Sequence, residues 1–132
     1  MKLFRKTFPL ALAFAAIFVS SCSSDNTNTP GPSPATSHKV LFKAQVSAGS
    51  NIEQAVYGYD SDLTTATSLS GTTWQSPELT APAGTVNAGI TIDGVGADAN
   101  ATIKVQIYID GVLKKEGTGS GGALVATAQY SF

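Results

Sequence analysis

The stretch ATIKVQIYIDGVLKKEG, residues 101–117, constrains the fold of this chain more than any other part of the sequence. Between residues 102 and 109, four branched apolar side chains alternate with polar ones, which is the period of a β-strand with one buried face. Asp110 and Gly111 follow, and both residue types tolerate the positive φ that a two-residue type I′ turn requires. The sequence therefore predicts a β-hairpin that begins at residue 102.

Strand-like alternation of apolar and polar residues recurs elsewhere between residues 38 and 132. It predicts further strands at residues 39–47, 52–60, 86–94 and 123–132. Beyond the first apolar stretch of the chain, no run of 10 residues has the spacing of an amphipathic helix. The pattern is that of an all-β domain.

Three segments between these predicted strands have a different character. Residues 61–71 are rich in threonine and serine, which fits a short edge strand or a loop. Pro77 and Pro82 exclude a central strand from residues 72–84, because proline has no N–H to donate to a sheet. The glycine-rich residues 117–122 are predicted to form a loop.

Six to seven short strands separated by turns predict a small antiparallel β-sandwich of the immunoglobulin-like type, with about seven strands. A small β-barrel is the alternative architecture. The pair of cysteines found in true immunoglobulin domains is absent, since the chain has one cysteine. Residues 38–132 are sufficient for one domain with one modest core.

The first 21 residues have the character of a lipoprotein signal peptide. A basic start, MKLFRK, precedes the uncharged apolar residues 10–19, a run too short to span a bilayer as a helix. The cysteine, Cys22, comes next after three residues that resemble the lipobox of bacterial lipoproteins: Val19, Ser20 and Ser21. We expect Cys22 to be acylated on its sulfur, to become the first residue of the mature chain and to anchor it to a membrane.

Residues 22–37 comprise the lipidated cysteine and a linker. From residue 23 onward the linker is built of small and polar residues and proline, with no apolar residue larger than alanine. Such a composition cannot bury enough surface to offset the entropy of ordering, so the sequence predicts a flexible, disordered tether. His38, the single histidine, stands at its end, where we expect a solvated side chain.

The mature chain is acidic and lacks arginine. Without residues 1–21 it carries five lysines against nine acidic residues, so its net charge is −4. A basic patch for phosphate groups is not expected, and nucleic acid is an improbable partner for that reason. No disulfide can form within the mature chain, so its stability must come from burial.

The sequence offers little for catalysis or metal binding. A thioether at Cys22 and a solvated His38 leave no Cys-His or Ser-His arrangement, so we expect no enzymatic activity and no small-molecule cofactor. Four carboxylates lie in loop-like segments that have some resemblance to calcium sites: Asp60, Asp62, Asp93 and Asp98. Their spacing does not match an EF-hand loop, and solvated acids are the expected interpretation, with no metal site.

Four aromatic residues are the candidates for contact with a ligand: Trp74, Tyr57, Tyr59 and Tyr108. If they shared one face of a sheet, they would form a stacking platform for sugar rings, as in carbohydrate-binding modules. Tyr108 alternates with the apolar Ile103–Ile109 set and is expected to be exposed. Trp74 is favoured as a core residue over a ligand contact.

The order of these features resembles a known family. The segments VYGY, TTWQSPEL, VNAGITI and IKVQIYIDGVLKKEGTGSGGALVATAQ resemble the soluble domain of the MmpS family, small membrane proteins that accompany lipid and siderophore exporters in mycobacteria. The chain is also similar to related lipoproteins of Bacteroidota, in which serine and aspartate follow the cysteine. The mycobacterial proteins have a transmembrane helix and a cysteine pair, and this chain has neither feature in its sequence.

The resemblance implies a sandwich domain without catalytic residues that serves an export complex. Together with the predicted anchor, it gives a lipid-anchored cell-envelope protein of the outer membrane, periplasmic or surface-exposed. Its expected role is that of an accessory or binding subunit of an envelope complex. A glycan-binding surface lipoprotein is the alternative.

Overall fold

The structure is a computed structural model that describes residues 36–132. In this range the chain forms nine β-strands and no helix. The strands are β1 (His38–Val46), β2 (Asn51–Tyr59), β3 (Asp62–Ala66), β4 (Thr73–Gln75), β5 (Leu79–Ala81), β6 (Asn87–Val95), β7 (Thr102–Ile109), β8 (Val112–Ser120) and β9 (Ala123–Ser131).

The strands form two antiparallel sheets. Sheet A has the order β4–β1–β7–β8, and β5 pairs with β1 on the same edge as β4. Sheet B has the order β3–β2–β6–β9. The two sheets enclose a common core, and the fold is a small β-sandwich.

Alternate residues of the long strands supply this core, as strand periodicity requires. Strands β1 and β7 of sheet A contribute Phe42 and Ile107, and β6 of sheet B contributes Ile92; all three are fully buried. Burying a side chain of this size stabilises a fold by about 1.5–3 kcal/mol. Burial of this kind takes the place of disulfide bonds.

The predicted hairpin between β7 and β8 is confirmed. Ile109 pairs with Val112, which leaves a two-residue turn. Both turn residues have positive φ, 52° at Asp110 and 83° at Gly111, as in a type I′ turn. The turn sets the pairing of the two residues on each side of it, and the register shifts by one residue between Tyr108 and Ile107.

The expected number of about seven strands is wrong, because the tryptophan segment forms β4 and β5. Both strands pair with β1, Pro77 lies between them in the chain, and each is three residues long. Buried Ser76 bridges the interruption: its hydroxyl accepts a hydrogen bond from the N–H of Phe42 at 3.0 Å and donates to the carbonyl oxygen of Pro77 at 2.8 Å. The prolines exclude a central strand, as expected, but an edge strand in two pieces tolerates them.

The prediction of a loop over residues 117–122 is also wrong in part. Strand β8 continues through Ser120, and Gly121 and Gly122 connect it to β9 in the other sheet. The glycines of β8 have a packing role: a Cβ at Gly117 would overlap the carbonyl oxygen of Thr127. The backbones of β8 and β9 therefore approach more closely than side chains would allow.

Candidate functional site

The lysines of the domain are confined to one sheet. Residues 36–132 contain five lysines, and all lie on β1, β7 and β8 of sheet A: Lys39, Lys43, Lys104, Lys114 and Lys115. The strands of sheet B have no lysine or arginine, and they carry Glu53, Asp62 and Asp93. The sandwich therefore has a positively charged sheet and a negatively charged one.

Strand register gathers three of these lysines on the outer surface of sheet A. Lys43 pairs with Gln106 of β7 and with Gln75 of β4, and Gln45 pairs with Lys104. We call this outward surface the lysine face; its members are Lys39, Leu41, Lys43, Gln45, Thr73, Gln75, Thr80, Thr102, Lys104, Gln106, Tyr108, Glu116 and Thr118. Most of its side chains end in amines, amides or hydroxyls.

Tyr108 lies near the middle of the lysine face and is half-buried. The amino group of Lys43 is 4.8 Å from the centre of its ring, within the range of a cation–π contact. Tyr108 also pairs with Leu41 and with Leu113 across the sheet, and these residues flank the ring with apolar surface. The Tyr108 hydroxyl donates to the side-chain oxygen of Gln106 at 3.4 Å, so both the ring and its hydroxyl have partners on this face.

Most of the positive charge on sheet A has no acidic partner in the described range. Lys104 lies 3.9 Å from Glu116, whose carboxylate also accepts a 2.6 Å hydrogen bond from Gln106. Lys39 donates to the Thr80 hydroxyl at 2.9 Å, and among residues 36–132 neither it nor Lys43 lies within 4.0 Å of a carboxylate. These two amines are free to bind an anionic group.

One end of the lysine face opens into a shallow pocket of about 560 Å³. Its polar lining includes Gln45, Ser47, Lys104, Thr118 and Ser120. Hydroxyls and amides around a single amine can bind carboxylates or hydroxyl groups.

The four aromatic candidates do not share one face of the sandwich. Tyr57 is 6% exposed and lies in the core between Phe42, at a ring-centroid distance of 5.6 Å, and Trp74, at 5.1 Å. Trp74 is partly buried and packs against the core, as the favoured interpretation predicted. Tyr108 alone points away from the core, because it alternates with the inward residues of β7.

Tyr59 also packs against the core and is partly buried. Burial raises the pKa of its phenol, and the neighbouring carboxylates of Asp62 and Asp60 raise it further. The phenol is therefore neutral, and because its ring packs against the core it offers little free surface for stacking on sugars.

The acidic candidates separate to opposite ends of the sandwich. Asp60 lies in the turn before β3, where its carboxylate accepts hydrogen bonds from the N–H groups of Val86 and Asn87, both at 3.0 Å. Asp98 lies in the loop between β6 and β7 and accepts a 2.7 Å bond from the N–H of Asn100. Within residues 36–132 no three acidic, histidine or cysteine side chains come together as metal ligands.

His38 is not a solvated residue at the end of the linker. It begins β1, and its Nδ1 lies 2.7 Å from the carboxylate of Asp110 in the β7–β8 turn. Its ring stacks on that of Phe132 at 5.1 Å. The antiparallel pairing of β1 with β7 brings the start of one strand beside the end of the other, and local sequence carries no signal for this contact.

Asp110 joins the two strands at this end of the sandwich. It accepts the His38 contact and a 2.9 Å hydrogen bond from the N–H of Lys39. The hydrogen bond with His38 lowers the pKa of this carboxyl group, and the Lys39 N–H lowers it further. We call this end, where β1 begins, the entry end.

The anchor residues fall outside the described range. Cys22 and the lipobox residues Val19, Ser20 and Ser21 precede residue 36, as does the predicted linker. Within residues 36–132 no helix has the length and apolar character needed to cross a bilayer.

Comparison with protein-family models, with curated proteins and with solved structures found no match.

Proposed function

We propose that this chain is a lipid-anchored protein of the cell envelope that catalyses no reaction and binds an acidic partner protein through its lysine face. The observation that carries the proposal is the separation of charge between the sheets, with all five lysines of residues 36–132 on sheet A. Charge complementarity of this kind steers association and selects partners. The chain would act as an accessory or binding subunit of an envelope complex.

The anchor part of the proposal is supported by the sequence. The charged start, the short apolar run and the small residues before Cys22 form a consistent lipoprotein signal. Acyl chains on Cys22 would hold the protein on the outer membrane, on its periplasmic or its outer surface. The assignment of the sandwich to the immunoglobulin-like type is also part of the proposal, and its two antiparallel sheets support it.

The resemblance to the MmpS family supplies a class of partner. An export complex would present an acidic surface to the lysine face, and Lys39 and Lys43 would form ion pairs that they do not make within residues 36–132. Tyrosine is enriched in protein interfaces, so Tyr108 would lie in the interface and the lysines would belong to its polar rim.

The test is co-purification of the tagged lipoprotein from detergent-solubilised envelopes, followed by mass spectrometry. Lysine-reactive cross-linkers are avoided, since they would report on the lysines themselves. We expect Lys43→Glu to reduce the captured partner at least tenfold and Cys22→Ser to abolish capture. Lys115→Glu is the matched control, because Lys115 pairs with inward-facing Ile107 and is not a member of the lysine face; its capture should stay within twofold of the parent.

Two results would contradict the proposal. If Lys43→Glu captured as much partner as Lys115→Glu, the lysine face would not be the binding surface. If no protein were enriched over the Cys22→Ser control, the role in an envelope complex would be lost.

Glycan binding is the second candidate function, and Tyr108 is the observation that favours it. The ring is half-buried on the outward face of sheet A, and Gln106 and Lys43 lie beside it as polar groups for sugar hydroxyls. In a glycan-array experiment, binding that Tyr108→Ala removes and Trp74→Phe retains would support this function over the protein-binding one.

A further inference from the structure

Three of the seven exposed large apolar side chains in residues 36–132 lie at the tip of the entry end, and Val95 and Val125 lie near the opposite end. Val86 is 64% exposed, Val112 is 55% exposed and Phe132 is 38% exposed. Val86 directly precedes β6, Val112 follows the β7–β8 turn, and Phe132 follows β9. Antiparallel topology brings these three positions to the end at which β1 begins.

The three residues form a connected surface, which we call the entry rim. The N–H of Phe132 donates to the carbonyl oxygen of Val86 at 3.0 Å. Phe132 and Val112 line a shared open pocket of about 330 Å³, together with His38 and Tyr130. The ring of Tyr130 meets that of Phe132 edge-on at 5.2 Å, so the rim combines aliphatic and aromatic surface.

The charges around the entry rim are compatible with contact to a lipid surface. Lys114 lines the same pocket as Val112, and Lys39 begins the lysine face at this end. Two acidic residues at this end, Asp60 and Asp110, accept hydrogen bonds from backbone N–H groups and, for Asp110, from His38. Their charges are therefore partly compensated within the protein.

The entry end is also the end to which the preceding residues are joined. Only 13 residues separate Cys22 from Thr36, so these two residues can lie at most about 50 Å apart even in a fully extended chain. A membrane that holds the acyl chains is therefore always within reach of the entry end. The tether keeps the entry end at a high local concentration beside the membrane. A small apolar surface at that end is therefore sufficient for contact with lipid.

We propose that the entry rim inserts into the interface of the membrane to which the chain is anchored, so that Val86, Val112 and Phe132 contact lipid. Aromatic and aliphatic side chains with nearby lysines are the composition that favours this boundary. This inference rests on the proposed acylation of Cys22. It orients the domain with the entry end toward the lipid and the lysine face to the side, accessible to a neighbouring protein.

The experiment uses the full mature lipoprotein in phosphatidylethanolamine–phosphatidylglycerol vesicles. Acylated Cys22 has no free thiol, so a single introduced cysteine can be labelled with an environment-sensitive fluorophore. Val112→Cys and Val86→Cys report on the entry rim. Val125→Cys is the matched control, because Val125 is 53% exposed, much like Val112, and lies near the opposite end of the sandwich.

We expect spin-labelled lipids to quench the fluorophore at positions 112 and 86 at least three times as strongly as at position 125. Equal quenching at all three positions in an acylated protein would overturn the inference and leave the proposed anchor intact. The intact mass of the purified chain identifies the other failure: if Cys22 carries no acyl chains, both the anchor and the inference are lost. If a second copy or another protein covered position 112 and kept spin-labelled lipids from quenching its fluorophore, the inference that the entry rim contacts lipid would also be overturned.

Discussion

A single side chain, that of Asp110, shows how one residue can have both a local and a long-range role. Its φ of 52° satisfies the type I′ turn, which the sequence predicts from the Asp-Gly pair. Its carboxylate also fixes the start of β1 through His38, which lies 72 residues away along the chain. The turn was predictable because its signal is local, and the contact was not, because it depends on the pairing of β1 with β7.

The substitution Asp110→Asn separates these two roles, since asparagine also adopts positive φ. The His38 hydrogen bond lowers the pKa of Asp110 in the folded state, so the carboxylate stabilises the fold above the unfolded-state pKa. This contribution is lost as the pH falls through the lowered folded-state pKa. We therefore expect Asp110→Asn to melt a few degrees below the parent at pH 7, with a gap that closes as the pH falls below the ordinary value of 3.8.

Thermal unfolding followed by circular dichroism between pH 7 and pH 2.5 measures this gap. Asp93→Asn is the control, because within the described residues the Asp93 side chain makes no hydrogen bond or ion pair. Its gap to the parent should stay constant. If the difference in melting temperature between Asp110→Asn and the parent did not change with pH, the carboxylate would not stabilise the fold by its charge.

At the scale of the strands, the sequence predicts those that alternate over many residues. The first strand was predicted at residues 39–47 and lies at His38–Val46, and the β7–β8 hairpin was predicted at the correct turn. Strands β4 and β5 escaped prediction because three residues are too few to show a period. The glycine-rich half of β8 escaped it because glycine has no side chain to signal which face is buried.

The glycines of β8 give a direct test of its crossing with β9. Gly117→Ala places a methyl group against the carbonyl oxygen of Thr127, so the strands must separate. We expect a loss of about 1–3 kcal/mol in the free energy of unfolding, as in other overpacked sites. Gly122→Ala is the matched control: no atom lies within 4 Å of a Cβ there, and the change should stay within about 0.5 kcal/mol.

Urea unfolding of the two variants beside the parent gives both values. If Gly117→Ala were as stable as Gly122→Ala, the close approach of β8 and β9 would contribute nothing to the fold. If Gly122→Ala lost as much free energy of unfolding as Gly117→Ala, the requirement for glycine would instead lie in the turn between β8 and β9.

At the scale of the whole molecule, the lysine face is a product of topology. Its lysines are dispersed from residue 39 to residue 104, and only the order β1–β7 within sheet A places them side by side. The sequence predicts Tyr108 as an outward residue of β7, and in the structure it lies on the lysine face. It favoured Trp74 as a core residue, which is correct, but it could not show that Tyr57 packs against Trp74 from the other sheet, because contacts between sheets have no signal in the local sequence.

Aromatic rings from both sheets pack together in the core, which allows a test of whether the two sheets unfold cooperatively. Trp74 belongs to sheet A and packs on Tyr57 of sheet B, which in turn packs on Phe42 of sheet A. Neither sheet has a buried face without the other, so both should unfold together.

For the Cys22→Ser chain in urea, we expect tryptophan fluorescence and far-ultraviolet circular dichroism to give the same midpoint, with an m-value of about 1–3 kcal/mol/M. Since Trp74 is the single tryptophan, its fluorescence reports on contact between the sheets. A fluorescence midpoint clearly below that of circular dichroism would mean that the short β4 edge detaches while the rest of the sandwich remains folded.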